Sequence, residues 1–143
     1  MNVCGAAGDD AFAGAAGGCI DSLYPFDAND KFDYAGAIAN TLDAGVPVTL
    51  YYGKMDTACN YVGGAELAEQ IKWKSQGEYN EAELSAFEVA GVEIGQTKSF
   101  GGLTYYQWEM SGHMVGLDEG AASSASLESL TAKYRKSKKE KEL

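Results

Sequence analysis

The single histidine of the chain is the side chain best suited to acid–base chemistry. His113 is the only histidine among 143 residues, and an imidazole exchanges protons near neutral pH because its ordinary pKa is about 6.5. It lies in a turn of small residues directly after the apolar run 103–110. A carboxylate occupies an equivalent place upstream, since Asp56 closely follows a second apolar run, residues 46–52. An aspartate and a histidine placed in this way could form a proton relay.

The two apolar runs predict buried β-strands, and the segment between them predicts a helix. Both runs are short and rich in β-branched and aromatic residues, which is typical of strands. Residues 64–73 contain good helix formers with apolar side chains at helical spacing. A strand, a helix and a later strand favour a parallel crossover, which places both following loops at the carboxyl edge of one sheet. The sequence therefore predicts an α/β fold in which Asp56 contacts His113.

The residues around these two positions resemble the serine carboxypeptidases, a family of the α/β-hydrolase superfamily. The family motif Tyr-Ala-Gly-Asp-x-Asp-x-x-Cys-Asn-x-x-Gly is similar to Tyr51-Tyr52-Gly53-Lys54-Met55-Asp56-Thr57-Ala58-Cys59-Asn60-Tyr61-Val62-Gly63. Lys54 replaces the first acid of that motif. Ordered matches continue from about residue 42 to about residue 127, and they include the turn Gly112-His113-Met114-Val115, which is similar to the family's catalytic histidine turn.

The resemblance implies a role for each matching residue. It makes Asp56 the aspartate and His113 the general base of a Ser-His-Asp triad that releases C-terminal residues from peptide substrates. It also implies that Cys59 and Asn60 lie near the substrate pocket and that Met114 lines the side of the leaving residue. The order of aspartate before histidine agrees with the order in α/β-hydrolases.

The nucleophile of such a triad is missing from the sequence. No Gly-x-Ser-x-Gly motif occurs in the chain, although α/β-hydrolases carry their serine on that turn. We therefore expect the C-terminal part of an α/β-hydrolase sheet, incomplete and inactive without an upstream portion, with a Ser-bearing N-terminal chain of the same enzyme as its partner. The alternatives are a non-catalytic interaction protein from a truncated hydrolase gene, a carboxypeptidase-like acyltransferase fragment, and a hydrolase with Asp56 as nucleophile.

The chain divides into three predicted regions. Residues 1–19 are rich in glycine and alanine and are expected to form a mobile segment. Residues 20–130 are expected to form the carboxypeptidase-like region, in which residues 34–42 carry one apolar helical stripe that Gly45 should end. Residues 131–143 are expected to form a charged, solvated tail.

Composition excludes several classes of partner. The formal net charge is −10, whereas nucleic-acid binding requires clustered lysine and arginine. No stretch approaches the roughly 20 apolar residues of a membrane span, and no signal peptide is recognised near residue 1. The resemblance alone implies a location in the secretory pathway, the vacuole or lysosome, or outside the cell.

The cysteines do not have the spacing of a zinc site, which needs close pairs. We therefore expect no metal and no cofactor. Cys4 and Cys19 could form a disulfide, and by the family pattern Cys59 remains a lone thiol. Cys59 is expected to be a small buried residue rather than a nucleophile. Three aromatic residues are expected to pack in the core: Trp73, Tyr105 and Trp108.

Overall fold

A computed structural model describes residues 33–141 of the chain. The predicted mobile segment 1–19 and residues 20–32 lie outside these described residues. The elements, in chain order, are α1 (Tyr34–Asp43), β1 (Val48–Gly53), α2 (Tyr61–Gln70), α3 (Gln76–Glu81), β2 (Ser85–Val89), β3 (Val92–Phe100), β4 (Leu103–Trp108), α4 (Val115–Asp118) and α5 (Gly120–Lys141). None of the helices in this part of the chain has the length and apolar character needed to cross a bilayer.

The four strands form one sheet in the order β1-β4-β3-β2. Strands β1 and β4 are parallel, with Val48 opposite Leu103 and Gly53 opposite Trp108. Strands β3 and β4 are antiparallel, as are β2 and β3. The predicted α/β fold is confirmed, and β1 and β4 are the two strands that the sequence predicts. The sheet is mixed, however, because β2 and β3 form an antiparallel hairpin that the sequence pattern does not reveal.

The hairpin of β2 and β3 has a tight turn and little buried side-chain surface. Its two turn residues, Ala90 and Gly91, both have positive φ values, 53° and 79°, as a type I′ turn requires. Most side chains of the two strands are exposed or half-buried, so the sequence carries only a weak strand pattern there. At Gly95 an added Cβ would lie 2.0 Å from the carbonyl oxygen of Gln107, so the absence of a side chain allows β3 to approach β4 closely.

Alternate side chains of β1 and β4 face two different layers. One face packs with α1 and α2 in a single apolar core, whose buried members are Ala39, Leu42, Ala68, Ile71, Trp73, Tyr79, Leu103 and Tyr105. The opposite face, which includes Tyr51 and Tyr106, lines a cleft under α5. Trp73 and Tyr105 belong to this core, which confirms the prediction for these two residues. Trp108 is also buried, but it lies on the opposite face and lines the cleft.

Helix α1 ends where the sequence predicts. The amide of Gly45 donates to Leu42 O (2.9 Å) and that of Val46 donates to Thr41 O (3.1 Å), the paired hydrogen bonds of a Schellman ending. Gly45 has φ of 79°, a conformation that glycine adopts without steric cost.

Two helices have bounds that differ from the expected ones. The helix predicted over residues 64–73 starts at Tyr61 and ends at Gln70, because the Asn60 side chain caps it three residues early and Ile71 leaves the helical conformation. Helix α5 continues across the predicted boundary at residue 130 to Lys141. The solvation of residues 131–143 stays a prediction.

Candidate active site

Two loops meet at the carboxyl edge of the parallel strand pair. One follows β1 and carries Asp56, and the other follows β4 and carries His113. Their backbones are hydrogen-bonded to each other, since the amide of Lys54 donates to Trp108 O (2.8 Å) and the amide of Met55 donates to Ser111 O (2.9 Å). The parallel pairing and these bonds hold the two loops side by side.

Gly53 lets the two loops touch. A Cβ built at this position would lie 2.2 Å from the carbonyl oxygens of both Ser111 and Gly112, far inside van der Waals contact. The last residue of β1 therefore cannot carry a side chain without moving the backbone that precedes His113. A glycine at the end of a strand is a recognised sign of close backbone approach, so the sequence holds a signal for this contact.

Asp56 and His113 are in direct contact. Oδ2 of Asp56 lies 2.7 Å from Nδ1 of His113, as the sequence predicts for this pair. Oδ1 of Asp56 accepts from the amides of Ala58 (2.8 Å) and Cys59 (3.1 Å). The Asp56 side chain is 6% exposed and that of His113 is 63% exposed, so the carboxylate is buried behind an accessible imidazole.

The surroundings of Asp56 favour its charged form. Burial alone would raise its pKa, but the hydrogen bonds from His113, Ala58 and Cys59, and the charge of a protonated His113, together outweigh burial. The pKa of Asp56 therefore lies below its ordinary value, because each of these hydrogen bonds is made to the ionised carboxylate. The carboxylate is consequently charged at neutral pH.

A charged carboxylate fixes the tautomer of the neutral imidazole. An ionised Asp56 can only accept hydrogen bonds, so we assign the ring proton of His113 to Nδ1, where it is donated to Oδ2. The lone pair of a neutral imidazole is then on Nε2. A partly exposed ring in this tautomer can take a proton at Nε2, and the neighbouring carboxylate would stabilise the resulting cation.

Two side-chain contacts stabilise the loops, and neither was predicted from the sequence. Lys54 donates from Nζ to Oε2 of Glu109 at 2.6 Å, which joins the loop of Asp56 to that of His113. Asp118 of α4 accepts at Oδ2 from the amide of Gly112 at 2.8 Å. The replacement of an acid by Lys54 was visible in the sequence, but its partner was not, because 55 residues separate Lys54 from Glu109.

The remaining predicted site residues lie around the pair in different ways. Cys59 is exposed, so the expectation that it is buried is wrong; it stands in the loop between β1 and α2 rather than in the core. Its ligand atom lies within 4.8 Å of ligand atoms of Asp56 and His113. Asn60 accepts at Oδ1 from the amide of Gly63 (2.9 Å) and so caps α2. Met114 follows His113 and has an exposed side chain. The pocket roles of these three residues stay predictions.

The opposite face of the sheet holds a cleft of about 770 Å³. Its floor is formed by side chains of β1 and β4, among them Tyr51, Tyr106 and Trp108, and its wall is formed by α5, with Leu127 and Leu130. Most of the lining is apolar. Neither Asp56 nor His113 lines this cleft, so the cleft and the Asp56–His113 pair are separate features of the described residues.

Comparison with known proteins identifies the family of the chain. A family model described as serine carboxypeptidase matches residues 17–133. The chain is 36% identical over 107 residues to a carboxypeptidase Y homolog A of Leptosphaeria maculans, covering 68% of this chain and 20% of that protein. It is 34% identical over 122 residues to a carboxypeptidase Y homolog A of Aspergillus oryzae, covering 77% and 22%.

A third relative, carboxypeptidase Y of Schizosaccharomyces pombe, is 39% identical over 82 residues, which cover 57% of this chain and 8% of that protein. The chain therefore spans about a fifth or less of the length of these relatives. Because the family model matches most of the sequence, including both loops of the Asp56–His113 pair, the chain belongs to the serine carboxypeptidase family.

Proposed function

We propose that this chain supplies the aspartate and histidine of a serine-type carboxypeptidase, which removes C-terminal residues from peptides. In this proposal His113 takes the proton of a serine hydroxyl at Nε2 as the hydroxyl attacks the peptide carbonyl, and then gives that proton to the leaving amine. Asp56 holds the ring and stabilises the imidazolium. Water then releases the acyl group from the serine in the same way.

The 2.7 Å contact between Asp56 Oδ2 and His113 Nδ1 is the observation that carries the proposal. Two features of the site make this contact suitable for a relay. The carboxylate is fixed by two backbone amides, so its orientation does not depend on the histidine. The imidazole is accessible, which leaves room for a hydroxyl and a substrate on its outer side. No element of a catalytic serine turn is needed to form this half of the triad.

The serine is proposed to come from another part of the same enzyme. Strand β1 is at the edge of the sheet, and among residues 33–141 no strand pairs with its outer side. An unpaired strand edge is a ready template for a further strand. A Ser-bearing portion that extends the sheet from β1 would lie next to the loop of Asp56, where the carboxyl edge continues. Alone, the chain is proposed to be inactive as a peptidase.

The finer assignments belong to the same proposal. Cys59 and Asn60, directly after Asp56, would lie near the substrate, and Met114 would border the leaving residue. The proximity of Cys59 to the Asp56–His113 pair and the exposure of Met114 support these positions. A location in the secretory pathway, the vacuole or lysosome, or outside the cell is proposed from the family resemblance.

A chimeric enzyme tests the proposal. The segment of the Aspergillus oryzae relative that matches this chain is replaced by the corresponding residues of this chain, and release of the C-terminal residue from a blocked dipeptide is measured. We expect activity in the chimera and none in this chain alone. Asp56→Asn should lower kcat by about 10⁴-fold, because the asparagine amide stabilises the wrong imidazole tautomer.

The chimera also supplies its own controls. His113→Ala should abolish turnover, whereas Glu66→Gln, an exposed change on α2, should leave it intact. Labelling of the serine by a fluorophosphonate, together with circular dichroism, separates loss of folding from loss of chemistry. Equal turnover in the chimera and its His113→Ala variant would rule out the relay.

A non-catalytic interaction module is the second candidate, because the apolar cleft under α5 is open and large. It would be favoured if the folded chimera showed no peptidase activity and no serine labelling.

A further inference from the structure

Three potential metal ligands of different chemistry converge at the carboxyl edge of the sheet. Asp56, Cys59 and His113 each offer one ligand atom, and these atoms all lie within 4.8 Å of one another. Sequence spacing gave no sign of such a site, since His113 is 57 residues from Asp56 and zinc motifs are recognised by closely paired ligands. The fold brings the third ligand to the other two.

We infer that Asp56, Cys59 and His113 form a binding site for a zinc-type divalent ion. Carboxylate oxygen, thiolate sulfur and imidazole nitrogen are the three ligand types that Zn²⁺ accepts in proteins. A thiolate and an imidazole also select against Mg²⁺ and Ca²⁺, which prefer all-oxygen sites. Three protein ligands leave a fourth position for water. This inference concerns metal binding only and does not depend on the proposed peptidase activity.

The geometry needs only small movements. Ligand atoms around a tetrahedral zinc ion are about 3.3 to 3.7 Å apart, so the widest pair has to approach by at most about 1.5 Å. If Nδ1 of His113 binds the metal, it has to move away from Oδ2 of Asp56, which now lies at 2.7 Å, by about 0.6 Å. Asp56 is buried and held by the amides of Ala58 and Cys59, which also fixes the backbone of Cys59 beside the carboxylate. The side chain of His113 is largely exposed and Cys59 is exposed, so these two side chains can adjust their positions around the fixed carboxylate.

The proton balance follows from the ligands. The carboxylate is already ionised and the neutral imidazole keeps its single proton on whichever nitrogen does not bind the metal. The Cys59 thiol must lose its proton to bind as thiolate. Binding of one Zn²⁺ therefore releases about one proton to solvent. It also competes with the hydrogen bond between Asp56 and His113, because the same carboxylate and ring are used.

The experiment uses the full chain with Cys4→Ser and Cys19→Ser, so that Cys59 is its only thiol. Co²⁺ is titrated first as a spectroscopic probe, and Zn²⁺ is then titrated by calorimetry in two buffers of different ionisation enthalpy. We expect one Co²⁺ per chain, with a thiolate-to-cobalt charge-transfer band and the strong visible bands of a tetrahedral ion. Zn²⁺ should displace the cobalt and release about one proton.

Variants assign the ligands. Cys59→Ala and His113→Ala should each weaken Zn²⁺ binding by about tenfold or more. Both changes are made at exposed side chains, and circular dichroism checks that each variant is folded. The matched control Glu66→Gln removes one exposed acid and should leave the affinity unchanged. Mg²⁺ and Ca²⁺ should not compete.

Absence of the thiolate-to-cobalt band in the parent protein would overturn the inference without reference to any variant. Zn²⁺ affinity within twofold of the parent in both Cys59→Ala and His113→Ala would also overturn it, because the ion would then be bound by surface acids elsewhere.

Discussion

At the residue scale, the carboxyl group of Asp56 is buried and yet charged, because hydrogen bonds stabilise its ionised form. Its two oxygens share three hydrogen bonds, two from backbone amides and one from His113. Unpaired, a buried carboxylate would take up a proton. Paired in this way, it has a lowered pKa and holds the imidazole in one orientation. The same three bonds link the stability of the two loops to the ionisation of one side chain.

This linkage predicts a specific response to acid. In the unfolded chain Asp56 should have an ordinary pKa of about 3.9, whereas in the folded chain its pKa is lower. The stabilisation from the ionised form is therefore complete above the unfolded pKa and is lost as the pH falls through the folded pKa. The free energy of unfolding, measured in urea from pH 7 to about pH 3, should fall less steeply with acid in Asp56→Asn than in the wild-type chain.

Asp56→Asn keeps the shape of the side chain but cannot ionise, so the comparison with the wild-type chain measures the contribution of Asp56 ionisation to stability. Glu66→Gln serves as the reference for removal of an exposed acid. Parallel pH profiles in the wild type and Asp56→Asn would show that Asp56 does not contribute to the acid transition.

The residue types and their positions predicted the contact between Asp56 and His113, but they did not predict the surroundings of each residue. The contact of Asp56 with His113 followed from two strand ends and a crossover. The exposure of Cys59 did not follow, because a cysteine in a loop has no periodic pattern that reports its burial. Asn60 was assigned to the substrate pocket by resemblance, and its cap of α2 was not foreseen, although Asn is a favoured N-cap residue.

At the element scale, the close contact of Gly53, at the end of β1, with the loop after β4 positions the Asp56–His113 pair. Gly53→Ala should lower the free energy of unfolding by about 1 to 3 kcal/mol or more, because the new methyl group would overlap the carbonyl oxygens of Ser111 and Gly112. Urea unfolding measures this loss. The chemical shifts of the His113 ring should also change, since its loop has to move.

Gly77 provides a matched control for Gly53. It lies in α3, and an added Cβ meets nothing within 4 Å. Gly77→Ala should therefore raise the free energy of unfolding by up to about 0.5 to 1 kcal/mol through helix propensity. If Gly53→Ala did not lower the free energy of unfolding relative to Gly77→Ala, the close contact between the loops would be contradicted.

The ion pair between Lys54 and Glu109 is the second link between the loops. Its side chains are 25% and 55% exposed, so solvent screens the attraction. A double-mutant cycle with Lys54→Met and Glu109→Gln should give a coupling energy of about 0.2 to 1 kcal/mol. The coupling should shrink in 1 M salt. A coupling of zero at low salt would show that this contact does not link the loops.

The elements that carry strong apolar periodicity were the predictable ones. Helix α1 with its Gly45 ending and strands β1 and β4 all bury one face against the core. Strands β2 and β3 were not predicted because their side chains are mostly exposed or half-buried. They are joined to the sheet by backbone pairing, β2 with β3 and β3 with β4. Backbone pairing leaves little trace in a sequence.

At the scale of the whole molecule, the sheet has one covered face and one open face. Helices α1 and α2 cover the face that contains Leu103 and Tyr105. The other face forms the floor of the cleft under α5, with Tyr51 60% exposed. Parallel strands are usually covered on both faces, so this open face and the unpaired edge of β1 agree with the proposal that a further part of the enzyme completes the sheet.

The open cleft should bind small apolar probes. We expect the chain to bind the fluorescent dye 8-anilinonaphthalene-1-sulfonate in the cleft, because its lining is mainly apolar and open to solvent. Leu127, which lines the cleft from α5, should contribute about 1 kcal/mol of apolar contact. Leu127→Gln should therefore raise the dissociation constant about fivefold, as measured by fluorescence titration. Leu117→Gln, at an exposed leucine of α4 outside the cleft, should leave the dissociation constant unchanged.

Since dye binding also accompanies loosely packed states, near-ultraviolet circular dichroism must show the same fixed aromatic packing in all three proteins. Equal dissociation constants for the two variants would mean that the dye binds elsewhere. The apolar cleft would then give no support to the proposal that a further part of the enzyme covers the open face.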